Sequence, residues 1–147
     1  MDTSCGYGSF LLDDNFYKKI GADIDEKSLE KCPQNCLLFH CNSLFNVSRK
    51  MYSLTDHEKL LVVGNPPYND ITSQTHQEIK TNKLEIDDEL KSRDLGISFM
   101  KSYDKLQADY VCILHPLSYL IKKTNFNSLK QFSKNYHLIT GEIISSS

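Results

Sequence analysis

Asn65, Pro66, Pro67 and Tyr68 follow directly on the apolar run Leu60-Leu61-Val62-Val63-Gly64, and those types are unusual at the end of a strand. A turn needs one proline at most, and no phenol. Each proline fixes φ near about −65°, and Pro67 also restricts Pro66, so the corner is stiff and the Pro66 carbonyl is held at little further entropic cost. An amide, a carbonyl and an aromatic ring are thereby offered in fixed relation. The plainer reading is that the prolines end the strand and Tyr68 packs against it.

A second set of residues opens the chain, in Asp-Thr-Ser-Cys-Gly-Tyr-Gly-Ser-Phe from Asp2 to Phe10. Glycines two apart after an acid, running into the helix-like stretch from Ser9 to Ile20, suggest a loop whose backbone meets a ligand at a helix N-terminus. A Gly-x-Gly pair alone more often marks a turn. Roughly twenty residues on, Gly21-Ala22-Asp23-Ile24-Asp25 ends an apolar run with acids suited to accept hydrogen bonds from ribose hydroxyls. Asp25, ahead of Glu26-Lys27-Ser28-Leu29, reads better as a helix N-cap.

These groups need elements to hold them. The chain has 147 residues, 39% of them hydrophobic, which suffices for one globular domain. No apolar run reaches membrane-spanning length and no basic-then-apolar leader is seen, so the reading is cytoplasmic. Five cysteines, an odd number, argue against a disulfide framework. Residues 1–100 carry 11 Lys and Arg against 16 Asp and Glu, whereas residues 101–147 carry 6 against 3. Binding nucleic acid by phosphate neutralisation alone would favour a chain basic throughout.

Apolar runs at 20–24, 37–41, 59–64 and 109–115 read as strands. Leu95, Phe99, Met100, Tyr103 and Leu106 recur at helical spacing behind Asp94 as N-cap. The alternation predicts α/β with a mostly parallel sheet. Residues 69–93 are strongly polar and predict a surface loop, either a lid or a disordered connection. Cys32, Cys36, His40 and Cys41 lie close in sequence, but a strand through 37–41 sends His40 and Cys41 to opposite faces, so structural cysteines are expected and no metal. Lys122, Lys123, Lys130 and Lys134 form a modest basic region that solvated helix faces explain. Contact with DNA phosphates is a second role for them. The histidines have no Ser or Cys partner at nucleophile spacing.

In order, Asp2-Thr-Ser-Cys-Gly-Tyr-Gly-Ser-Phe-Leu11, Gly21-Ala-Asp-Ile-Asp25, Asn42-Ser-Leu-Phe45 and Gly64-Asn-Pro-Pro-Tyr68 resemble the successive motifs of S-adenosylmethionine-dependent DNA methyltransferases that modify the adenine N6 amine. The segments 94–100 and 108–126 resemble the later segments of that family, so the likeness spans nearly the whole chain. It implies a Rossmann-like class I sheet with S-adenosylmethionine as cofactor and DNA, presenting a flipped adenine, as partner, in a restriction-modification system.

Carried onto these positions, the resemblance sets Asp2, Cys5, Gly6 and Gly8 around the methionine part of the cofactor, Asp23 on its ribose and Ile24 beside its adenine. Asn42 stands where an Asp is common and keeps the acceptor through its amide oxygen. Asn65 and the Pro66 carbonyl would accept the two N–H groups of the target amine and aim its lone pair at the methyl group, while Tyr68 would stack on the base. Thr3 replaces a more usual Pro. The family's first strand precedes this loop, and only Met1 precedes Asp2, so residues 1–147 are expected to form a partial catalytic domain lacking that strand and a DNA-recognition domain. A companion chain or a longer polypeptide would supply both. Two alternatives stay open: a glutamine-N5 methyltransferase of release factors, which shares Asn-Pro-Pro-Tyr, and an inactive fragment.

Overall fold

A computed structural model describes residues 1–67 and 84–144. Tyr68 and residues 69–83 of the polar segment lie outside the described residues. In order come β1 (Ile20–Asp23), α1 (Glu26–Leu29), β2 (Leu37–His40), β3 (Leu61–Gly64), α2 (Leu95–Lys105), β4 (Tyr110–Ile113), α3 (Ser118–Ile121), α4 (Lys123–Ser128) and α5 (Phe132–Asn135). The architecture is mixed α/β with short parallel strands. β1 pairs with β2, and β3 with β4, both in parallel.

The backbone of Met1 and Asp2 joins these two pairs. Asp2 N–H donates to Ile20 O at 2.8 Å and Ala22 N–H to Asp2 O at 2.9 Å. On the other side the Met1 amino group donates to Leu61 O at 2.8 Å, and Val63 N–H to Met1 O at 2.8 Å. Two residues thus sit as a central strand would, giving the order β2, β1, Met1–Asp2, β3, β4. Burial depresses the Met1 amino pKa below its ordinary value.

The main core lies on one face of these strands. Ile20, Ala22 and Val62 meet Leu95, Phe99, Met100, Tyr103 and Leu106 of the α2 segment, the apolar positions expected from helical spacing. Asp94 accepts from Gly96 N–H at 2.9 Å, which is the expected N-cap. Asp25 caps α1 in the same way, accepting from Lys27 N–H at 3.1 Å and Ser28 Oγ at 2.7 Å. Arg49 ties the connection ahead of β3 to the end of α2, donating to Thr55 O at 2.9 Å, Glu58 O and Leu106 O at 3.0 Å.

One expectation is corrected. The stretch after the glycine loop is a 3-10 turn at Ser9–Leu11 and no long helix. Its acids explain why: Asp13 Oδ1 accepts from Asn15 N–H and Nδ2, and Asp14 binds Lys19 Nζ and Asn35 Nδ2. Side chains bonding locally offer the backbone an alternative to a helix. Residues 84–93, the described end of the polar segment, are largely exposed and are anchored by one buried side chain and by Asp87. Leu90 is buried, and Asp87 accepts from Asn46 N–H at 2.8 Å, Val47 N–H at 3.1 Å and Lys105 Nζ at 2.7 Å.

Candidate cofactor and amine site

Because β1, Met1–Asp2, β3 and β4 run the same way, the segments following each of them leave from one edge. The glycine loop emerges there beside the end of β1. Cys5 N–H donates to Ala22 O at 2.9 Å, and Gly6 N–H donates to Asp23 Oδ2 at 2.7 Å. The second Asp23 oxygen accepts from Asp25 N–H at 2.9 Å. A carboxylate offers about four lone-pair positions, so Asp23 retains capacity for two further donors.

Gly6 and Gly8 adopt φ of +50° and +77°, where a side chain is strained. They differ in surroundings. A Cβ at Gly8 would lie 2.8 Å from Pro33 Cδ, whereas one at Gly6 would meet nothing within 4 Å. Gly8 is needed for packing, and Gly6 borders open space. Cys5 and Cys32 sit under the loop with sulfurs 3.9 Å apart, and Cys32 Sγ donates to Gly6 O at 3.3 Å. Burial pushes both thiols above their ordinary range. Cys5 is therefore a packing residue beneath the loop.

Ile24 is exposed beside this open space, 58% accessible, and its carbonyl lies 3.0 Å from His40 Nε2. Asn42 accepts from Leu44 N–H at 3.0 Å and donates to Glu85 O. Its oxygen already holds a turn, with one lone pair remaining. The amide is thus tied to the docked end of the polar segment, a link that sequence spacing did not reveal.

At the end of β3, Gly64 O accepts from Leu114 N–H at 2.9 Å. Pro66 has no N–H with which to continue this ladder, so β3 and the chain after it part at that point. Pro66 is fully buried and Asn65 exposed, which anchors the corner while leaving the amide facing outward. Tyr68 lies outside the described residues. The two motifs meet through Asp2, since a Cβ at Gly64 would lie 2.7 Å from Asp2 Oδ1. The Asp2 carboxyl is almost wholly buried, accepts from Ser4 N–H at 3.0 Å, and is pushed up to about 6, chiefly by burial.

The structure therefore brings Asp2, Cys5, Gly6, Asp23, Ile24, Gly64 and Asn65 to one edge of the strands, with Gly8 and Asn42 packed behind. The Eco57I restriction-modification methylase model matches residues 9–145. The chain belongs to that family. Its members transfer methyl groups to DNA within restriction-modification systems, so this chain is a methyltransferase domain with DNA as its substrate. The match starts at Ser9, so the glycine loop ahead of it is tied to the methylase domain by geometry, through Asp23 and Gly64. No curated protein matches the chain.

Residues outside the expected set also shape this edge. His115 follows β4 and stacks on Tyr119, with ring centroids 5.5 Å apart and planes 3° off parallel. Tyr119 is buried and its hydroxyl donates to Asp94 Oδ1. Asp94 thus caps α2 and anchors the segment after β4 together. A His-Pro-x-x-Tyr spacing after a strand carried no signal that could have announced the pairing.

Among the described residues, no helix is long and apolar enough to cross a membrane. Cys36 Sγ lies 3.8 Å from Asn35 Oδ1 and His40 turns to Ile24 O, so the cysteine-rich stretch is spent on local contacts.

Proposed function

We propose that this chain is the catalytic part of an S-adenosylmethionine-dependent DNA methyltransferase acting on the adenine N6 amine, built on a Rossmann-like sheet. The observation that carries the reading is the contact of the Asp2 carboxyl with Gly64, which sets the glycine loop against the residue before Asn65. The residues present suit the cofactor: there is open space at Gly6, the Asp23 carboxylate has acceptor capacity left for ribose hydroxyls, and exposed Ile24 offers a flat apolar flank. When bound, S-adenosylmethionine supplies an electrophilic methyl group on a sulfonium.

The chain's own residues hold and orient. Asn65 Oδ1 and the Pro66 carbonyl accept hydrogen bonds from the two amine N–H groups, which localises the lone pair and points it across the edge towards the glycine loop. Buried Pro66 fixes the corner, and Tyr68 provides the stacking face for a base taken out of the duplex. Asn42 holds the turn on the cofactor's adenine side.

The test is product identification. The chain is incubated with labelled S-adenosylmethionine and either duplex DNA or a release-factor peptide, and the methylated nucleoside or side chain is identified. N6-methyladenine supports the reading; methylated glutamine or N4-methylcytosine contradicts it.

A further inference from the structure

From Tyr110 to Gly141 the sequence holds four lysines and no Asp or Glu. The structure divides those lysines into two groups. Lys130 and Lys134 line a cavity of about 630 Å³ together with Lys101, Lys105, Glu89 and Asp104. Lys122 and Lys123 are elsewhere: they end α3 and begin α4, on the segment that leaves β4 next to Gly64, and both are exposed.

That segment also carries apolar side chains that nothing covers among the described residues. Leu120 is 51% exposed and Ile121 73%, immediately before the two lysines. The strip is nonetheless fixed, because the adjoining Tyr119 is buried, stacked on His115 and bonded to Asp94. A rigid strip of two cations and two exposed apolar groups, with no acid near in sequence, suits a polyanion with apolar faces between its charges.

We infer that the strip Leu120-Ile121-Lys122-Lys123 is a DNA-contacting surface, with the lysines on backbone phosphates and the apolar pair against sugar or an unstacked base face. This rests on DNA being the substrate, and extends it to a surface outside the amine site. Its place follows from continuity: the strip leaves the sheet where Leu114 N–H bonds Gly64 O, one residue from Asn65. Lys130 and Lys134 line that other cavity, which includes neither Lys122 nor Lys123, and serve as the comparison.

The experiment measures binding of a fluorescent adenine-containing duplex to the full chain by anisotropy at several salt concentrations. Lys122→Ala with Lys123→Ala is compared with Lys130→Ala with Lys134→Ala. The first pair is expected to weaken binding about tenfold or more and to reduce the slope of log K against log salt by about two, and the second to change neither. Leu120→Ser with Ile121→Ser should weaken binding with the salt slope unchanged. Equal effects of the two lysine pairs, or no effect of the first, would overturn the inference, as would failure of the unaltered chain to bind DNA. Unchanged binding by the serine variant, the result expected if another polypeptide covers Leu120 and Ile121, would overturn it too. Binding is read independently of methyl transfer, whose presence or absence bears on the amine site alone.

Discussion

The Asp2 carboxyl lies against the Cα of Gly64, so close that a Cβ there would stand 2.7 Å from Oδ1. One residue belongs to the glycine loop and the other to the Asn-Pro-Pro-Tyr corner. The contact requires Gly at position 64, whose φ of +153° also disfavours a side chain. Gly64→Ala is expected to destabilise the fold by roughly 2 kcal/mol or more, because neither the buried carboxyl nor the strand can move away. Asp2→Ala with Gly64→Ala should recover part of that loss. Urea unfolding of the single and double variants measures it, and additive losses would show that the contact is not the cause.

The same carboxyl gives a pH signature. Its folded-state value, pushed up to about 6, lies above the unfolded value near 3.8. The folded chain therefore binds the proton more tightly than the unfolded one, and this favours folding at low pH. The contribution is present below about pH 4 and is lost as pH rises through about 6, amounting to on the order of 3 kcal/mol. Asp2→Asn should remove that decline, which denaturant melts between about pH 4 and 7.5 will follow. A decline that persists in the Asn variant would assign it to another group.

Arg49 holds three carbonyls, those of Thr55 and Glu58 on the loop that follows it and that of Leu106 far off in sequence. Arg49→Ala should cost roughly 2 to 4 kcal/mol, since charged hydrogen bonds are lost and partly buried carbonyls are left unpaired. Arg49→Lys should not rescue it, because an ammonium cannot reproduce the planar fork. Thermal melts decide the matter; rescue by lysine would contradict it.

Asp94 is asked to do two jobs, capping α2 and holding the Tyr119 hydroxyl. Asp94→Ala should lose about 1 kcal/mol for the cap, with a further loss that Tyr119→Phe shares. A double-variant cycle reads the shared part, and its absence would mean that the hydroxyl contact contributes nothing.

Much of this was legible in the sequence where local and tertiary demands agree. The four strands, the Asp94 and Asp25 caps and the apolar face of α2 follow from periodicity and capping chemistry, and the structure keeps them. Reading failed where side chains competed with the backbone. Ser9–Lys19 has helical apolar spacing, yet Asp13, Asp14 and Asn15 bond locally and leave one 3-10 turn. Residues 84–93 are largely exposed, yet their polarity did not announce that Asp87 receives Asn46, Val47 and Lys105. For the site, composition and order picked out the residues, while the Asp2 contact with Gly64 and the Tyr119 anchor depend on pairings across the fold that no spacing encodes.

The proposed chemistry gives Asn65 a role towards the substrate amine and none in holding the fold. Its side chain is exposed and, among the described residues, has no hydrogen-bond partner. The decisive measurement is methyl transfer to adenine-containing DNA by Asn65→Ala beside its S-adenosylmethionine affinity and melting temperature. The prediction is a rate reduced by about 10²-fold or more, with cofactor affinity and melting unchanged. Transfer at the unaltered rate, or a variant that fails only because it unfolds, would contradict it.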